Sequence, residues 1–192
     1  MINLMENNNL KNELLNELDR HLEWIKSCDT KASIVLAMLG VFIVTISSKL
    51  FLDSQKEIVL NALNNINFSN LIYLIFEGAV YFLFFDGVFN IIRVLFPQLR
   101  KSVKAYNGIE NDSLYYFESI SSKTYSEYKK QRINRTSEEE IHDILSQIYI
   151  NSKISTKKYH FYKKGLALVL WGILGILTLH SIGIILVKAG GF

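Results

Sequence analysis

The chain has 192 residues, of which 49% are hydrophobic and 20% charged, with a formal net charge of +3, one proline and one cysteine. A positive mean hydropathy at this length points to a membrane rather than to a single soluble domain. The lone Cys28 excludes an intramolecular disulfide and any cysteine-based zinc cluster, and so small a net charge makes the placement of charge more informative than its total.

The asparagine-rich start "MENNN" reads as a frayed end. Leu10, Leu14, Leu18, Leu22 and Ile25 then recur at helical spacing and predict a cytoplasmic amphipathic helix over 1–31 that continues into a first span over 32–52, "ASIVLAMLGVFIVTISSKLFL". Roughly 31 residues of charged, helix-patterned sequence before that span argue against a cleaved leader. A short external loop is expected over 53–70. The second span, 71–96, reads "LIYLIFEGAVYFLFFDGVFNIIRVLF" and is stopped by Pro97. It contains Glu77 and Asp86, and an ionised carboxylate costs at least ~2.5 kcal/mol at that depth. Its length and aromatic content still favour a span.

Residues 97–165 are expected to form a cytoplasmic sensor loop. It opens with a turn at Asn107-Gly108, and its aromatic run Leu114 to Ile120 reads as a short strand or a buried loop, followed by a polar helix. Ser137 and Glu140 stand in capping-box spacing before a helix over 138–162 that carries Ile141, Ile144, Leu145 and Ile148 on one face. That face is the natural partner of the amino-terminal apolar stripe. The third span is 166–187, "LALVLWGILGILTLHSIGIILV", and 188–192 form an external tail. Each span approaches or exceeds the ~20 residues needed to cross ~30 Å of hydrocarbon. The fold class is therefore mainly α: three transmembrane helices with a small sensor region, helical or α+β. About 67 residues between the second and third spans are marginal as a domain, so packing against the amino-terminal helix and oligomerisation are expected.

Positive-inside counting orients the chain. Arg100, Lys101, Lys104, Lys163 and Lys164 flank spans at the ends of the long loop, whereas the connection between the first two spans holds little beyond Lys56. The long loop and the amino terminus are expected in the cytoplasm.

No phosphate-binding glycine loop, His-Glu-x-x-His, paired-cysteine motif or nucleophile elbow is present, and His21, His142, His160 and His180 are scattered. The protein is not expected to be an enzyme, and neither a metal nor a cofactor is expected. Within the spans the polar residues are Glu77, Asp86, Asn90, Arg93 and His180. Glu77 and His180 lie at a similar depth, ~10 Å below the outer surface, where they could pair. Asp86, Asn90 and Arg93 share one helix face, with Glu77 nearly opposite, so the helix suits a protomer interface or a water-filled path, or else these groups simply hold helices together. Trp171 and the interfacial tyrosines read as anchors.

Farther from the membrane, Lys123, Arg132, Arg135, Lys153 and Lys157, set among Tyr115, Phe117, Tyr125 and Tyr128, combine cations for phosphate with rings for a base, although each also fits a solvated surface. Glu138, Glu139, Glu140 and Asp143 interrupt the patch and argue against extended nucleic acid. At the mouth of the first span, "WIKSCDTKAS" places Asp29 and Lys31 where they could latch onto the long loop, Asp29 to a cation and Lys31 to Asp143 or a lipid phosphate; the plainer reading is a capped, snorkelling junction.

Three segments, "HLEWIKSCDTKASIVLAMLG", "SLYYFESIS" and "DILSQIYINSKISTKKYHFYKKGL", together resemble the Pycsar effector transmembrane family. The resemblance covers nearly the whole chain in element order. It falls on Trp24, Asp29, Lys31 and Ala32 in the first segment and on Asp143, Gln147, Asn151, Ser152 and Lys157 in the last, while Cys28 stands where similar sequences often have alanine. Asn151 joins the ligand-binding candidates; Trp24, Asp29, Lys31, Asp143 and Gln147 are candidates for coupling. The resemblance implies a bacterial inner-membrane effector of anti-phage defence, in which a neighbouring nucleotide cyclase makes cyclic CMP or cyclic UMP and the effector senses it and impairs the bilayer. A homo-oligomer is expected on separate grounds, because three spans cannot by themselves enclose a wide aqueous path. The alternatives are a membrane scaffold that docks a neighbouring protein, and a constitutive small channel or transporter. Base selectivity depends on pocket geometry and is not legible in the sequence.

Overall fold

The computed structural model describes residues 2–97, 109–110 and 112–192, with side chains from residue 7 onward. The expected turn at Asn107-Gly108, and Arg100, Lys101 and Lys104, lie outside the described residues. The described helices, in chain order, are α1 (Ile2–Ile46), α2 (Lys49–Asn64), α3 (Phe68–Leu95), α4 (Phe117–Ser121), α5 (Tyr125–Asn134) and α6 (Ser137–Ala189). No strand occurs among the described residues, so the fold is mainly α. The aromatic run expected as a strand or buried loop is a turn that leads into α4.

Three helices, α1, α3 and α6, are long and apolar enough to cross a membrane. Two other expectations are corrected. The first apolar helix stops at Ile46 rather than running to residue 52, and most of the expected loop over 53–70 is helical, in α2. The cause is local: Thr45 Oγ1 donates back to Val41 O at 3.0 Å, competing with the helix ladder, and Ser48 turns extended and caps α2 by accepting from Phe51 N at 3.4 Å. The second correction concerns α6. Its capping box is Thr136 with Glu139, one residue earlier than expected: Thr136 N donates to Glu139 Oε2 at 2.9 Å and Glu139 N to Thr136 Oγ1 at 3.3 Å.

The chain divides into two compact units, one of residues 1–28 and 97–158 and the other of residues 29–96 and 159–192. The first is built on the expected stripe. Leu14 and Leu18 of α1 are buried against Ile144 and Ile148 of α6, with Leu15, Tyr115 and Ile141 around them. Ile25 packs with Ile150 and Ile154, whereas Leu10, Leu22 and Leu145 of the same patterns are exposed.

The second unit holds the apolar segments. Leu39, Phe84, Val169 and Ile176 form its core, and glycines let α3 and α6 approach closely. A Cβ at Gly172 would lie 2.7 Å from Phe84 Cα, and one at Gly87 2.6 Å from Val169 N. Backbone stands in the way at both positions, so no side-chain rotation relieves the clash. A Cβ at Gly78 would meet nothing within 4 Å. Gly172→Ala is therefore expected to destabilise the detergent-solubilised protein by about 1–3 kcal/mol, while Gly78→Ala is neutral or stabilising by up to ~1 kcal/mol. Thermal unfolding of the two variants beside the parent checks both.

Candidate functional site

In the first unit, α1, α6 and the segment that leads into α4 line a cavity of about 420 Å³. Leu18, Leu22 and Ile25 of α1 supply one wall, and Tyr115, Tyr116 and Phe117 supply another. The α6 side presents Gln147, Asn151, Ile154 and Lys158, and Pro97 completes the described lining. These α6 residues follow a spacing of four, three and four, which keeps them on one helix face. The volume falls within the ~300–1,000 Å³ of small-molecule sites, and the mixture of rings with a few polar groups is typical of them.

The aromatic wall is held by a buried charge. Asp143 is fully buried; its Oδ2 accepts from Leu114 N at 2.9 Å and lies 2.8 Å from Arg135 Nη1. This pair ties the segment before α4, and the end of α5, to α6. A second tie centres on Glu140, whose Oε1 accepts from Tyr115 Oη at 2.8 Å and Arg132 Nη1 at 2.9 Å, while Lys11 Nζ lies 2.8 Å from Oε2. Burial pushes the Glu140 carboxyl up, but the hydrogen bonds from Lys11 and Tyr115 and the charges of Lys11 and Arg132 outweigh it and hold the group below the usual carboxylate range. Burial, and then the bond to Glu140, push the Tyr115 phenol up.

The sequence-derived candidates are thus sorted. Tyr115, Phe117 and Asn151 meet at the cavity. Lys123 is paired with Asp112, Arg132 with Glu140 and Arg135 with Asp143, and none of the three lines this cavity. Lys153 lies 5.2 Å from the Tyr149 ring centroid, and Lys157 is exposed. Sequence reasoning gave no binding role to Lys158, which is 4% exposed, or to Tyr116 and Gln147, which also line the cavity. The helical spacing from Asn151 was the available signal. A second hollow, of about 310 Å³, is lined by Glu110, Asp112 and Glu139 against Arg135 and suits an anion poorly. Among the described residues, no three His, Cys, Asp or Glu side chains gather closely enough to hold a metal.

The coupling candidates fall in both units, Trp24, Asp143 and Gln147 in the first and Asp29 and Lys31 in the second. Trp24 is half exposed and meets His21 edge to face at 4.9 Å. Asp143, expected as a partner for Lys31, is instead bound to Arg135 within its own unit, since a carboxylate without solvent needs a nearby cation. Lys31 Nζ lies 5.8 Å from the Tyr159 ring centroid, and the main-chain oxygen of Asp29 accepts from Ser33 Oγ at 3.0 Å.

In the second unit Glu77 and His180 do come together, but through a residue that the sequence reading placed in a loop. Gln55 of α2 donates through Nε2 to Glu77 Oε1, and its Oε1 lies 2.9 Å from His180 Nδ1. With that oxygen as acceptor, Nδ1 is the protonated ring nitrogen. Phe51 stacks on the imidazole at 4.1 Å. On the other part of α3, Asn90 Nδ2 donates to Asp86 O at 2.7 Å and to Asp86 Oδ1 at 3.1 Å, Lys164 Nζ lies 3.5 Å from Asp86 Oδ2, and the Arg93 guanidinium sits 4.3 Å from the Phe89 ring centroid.

A family model described as the Pycsar effector protein domain matches residues 13–186. Among curated proteins, the chain is 28% identical over 171 residues to the Pycsar effector protein GmPycTM of Gulbenkiania mobilis, a match that covers 85% of this chain and 87% of that one. No solved structure matches.

Two outcomes follow from the polar ties. Because the folded-state pKa of Glu140 is depressed, its contribution to stability is present above the unfolded carboxylate pKa and is lost as pH falls through the folded value. Glu140→Gln is expected to flatten that part of the acid limb in melts recorded across the carboxylate range. Gln55→Leu removes a donor from Glu77, which is 6% exposed, and is expected to cost about 1–3 kcal/mol in chemical unfolding; Gln55→Asn, which keeps the amide, should cost less.

Proposed function

Since the chain belongs to the Pycsar effector family, we propose that it is an inner-membrane effector of anti-phage defence, which binds a cyclic pyrimidine nucleotide from a partner cyclase and then impairs the bilayer. The observation that carries the reading is the cavity between α1 and α6, with three aromatic side chains on one wall and a buried lysine on another. Rings take the face of a base, and a cation in a largely apolar site takes the phosphate charge. Lys158 is the only lysine or arginine in the described lining. The effector acts by binding, without catalysing a reaction. The excess of basic residues between α3 and α6 favours the cytoplasmic side for the first unit, where the cyclase product is made.

A route from binding to the membrane follows from the chain itself. Both helices that wall the cavity, α1 and α6, contribute residues to the membrane unit as well. A ligand favours whichever packing of the two it binds better, by no more than the difference in affinity. Three spans cannot by themselves enclose a wide aqueous path, so the lesion requires several copies.

The test is ligand-dependent stabilisation of the detergent-solubilised protein, since a ligand that binds the folded state alone must raise its melting temperature. A panel of cyclic CMP, cyclic UMP, purine cyclic mononucleotides and cyclic oligonucleotides should give a shift with one pyrimidine member, and the same compound should release dye from liposomes carrying the protein. Lys158→Met, which conserves most of the buried volume, should lose the shift. A protein that is folded but gives no shift with any compound refutes the sensor and favours a docking role; dye release without ligand favours a constitutive channel.

A further inference from the structure

Gln147 sits on the cavity wall with 3% exposure, and its Nε2 has no hydrogen-bond partner among the described residues. Buried amide donors in native proteins are almost always paired, so an orphan of this kind inside a cavity marks the place of a missing acceptor. No neighbour pairs with it as placed. The Asn151 amide, one turn on, donates to the main-chain oxygen of Gln147 at 2.9 Å; of the Asp143 oxygens, one turn back, Oδ2 is taken by Leu114 N and Arg135, and Oδ1, also buried and unpaired, makes no hydrogen bond to the Gln147 amide.

From this geometry we infer that Gln147 is the residue that reads the base: its Nε2 donates to the C2 carbonyl oxygen of a bound pyrimidine. The inference rests on the cyclic-nucleotide reading above and deepens it. Position along α6 selects the base over the phosphate. From Gln147 to Lys158 the row advances about 16 Å at ~1.5 Å per residue; both side chains lean toward the helix amino terminus, and the longer lysine reaches back along the row toward Gln147. The cation thus approaches a nucleotide from one end of the row and Gln147 meets its other end. Cytosine and uracil both carry the C2 carbonyl, whereas adenine carries no carbonyl oxygen. A site with a buried donor aimed at that oxygen rejects a ligand that lacks it, because the donor then stays desolvated and unpaired.

Binding is measured on the full-length protein in detergent, with cyclic CMP, cyclic UMP, cyclic AMP and the 2-thio counterpart of the pyrimidine that binds. Gln147→Met keeps the volume and removes the donor; Gln147→Glu keeps the shape and puts acceptors where the donor was. The parent should prefer the pyrimidine nucleotide to cyclic AMP and lose about tenfold in affinity with the 2-thio ligand, because sulfur is a weak acceptor. Gln147→Met should bind the parent ligand about tenfold more weakly, with a melting temperature in the absence of ligand no lower than the parent's, since an unpaired buried donor is removed, and should no longer distinguish oxygen from sulfur. Gln147→Glu should bind still more weakly. If either folded variant binds the pyrimidine nucleotide as the parent does, or still discriminates the 2-thio ligand, the assignment of Gln147 is overturned while nucleotide sensing stands. A parent that is insensitive to the sulfur substitution overturns it too, whether or not the variants fold. A parent that binds no cyclic pyrimidine nucleotide overturns both readings.

Discussion

In hydrocarbon there is no water to take up an unpaired peptide group, and that constraint governs the membrane unit of this chain. Its apolar segments must be helices, and helices without a hydrophobic drive between them hold together only where backbones can come close. Glycines in α3 and α6 provide that approach, with Gly87 and Gly172 each set against main-chain atoms of the opposite helix. The same dry environment sets the rule for polar groups. Glu77 is tolerated because Gln55 donates to it, and the other end of that amide is used by His180. An amide suits this position because it can donate to a carboxylate and accept from an imidazole at once.

The other unit meets a different difficulty, since the segment between the second and third apolar helices is marginal as a domain by itself. Its core forms only with the start of α1, where Leu14 and Leu18 close on Ile144 and Ile148 of α6. The short elements between are then fixed electrostatically. Removing either partner of the Asp143 and Arg135 pair would strand a charge out of water, a far larger penalty than the loss of an exposed bridge. The consequence for recognition is direct. A cation that already neutralises a buried carboxylate is a poor phosphate ligand, because binding would have to break the pair first. Arg135 is committed in this way, and Lys123 and Arg132 also have carboxylate partners.

This explains what the sequence could and could not disclose. The three apolar helices and the stripe of Leu14 and Leu18 follow from hydrophobic periodicity, which burial enforces locally. The stop after Ile46 was also written in the chain, as Thr45, Ser47 and Ser48, but an apolar run on both sides masked it. The helix that follows carries Gln55, and reading that stretch as a loop hid the residue that joins Glu77 to His180. Their similar depth was legible; the bridge between them was not. For the proposed binding site, composition pointed to cations among aromatic rings, and Tyr115, Phe117 and Asn151 do share a cavity. Which cation faces it depends on how α6 packs against elements distant in sequence, and one-dimensional spacing carries no information about that.

Burial of Lys158 gives the proposed sensor its leverage. A solvated lysine gains little from a phosphate, since water and salt screen both charges, whereas a cation in a cavity walled mainly by apolar and aromatic groups interacts far more strongly. That strength can alter a conformational equilibrium only if it differs between two packings of the same helices. Lys158 and Gln147 belong to α6, and the facing Leu18, Leu22 and Ile25 belong to α1, so a nucleotide in the cavity contacts both helices at once. Any change in their separation changes the ligand's contacts on both walls. On the proposed reading, the binding free energy is therefore linked to the packing of the two helices that the sensor shares with the membrane unit.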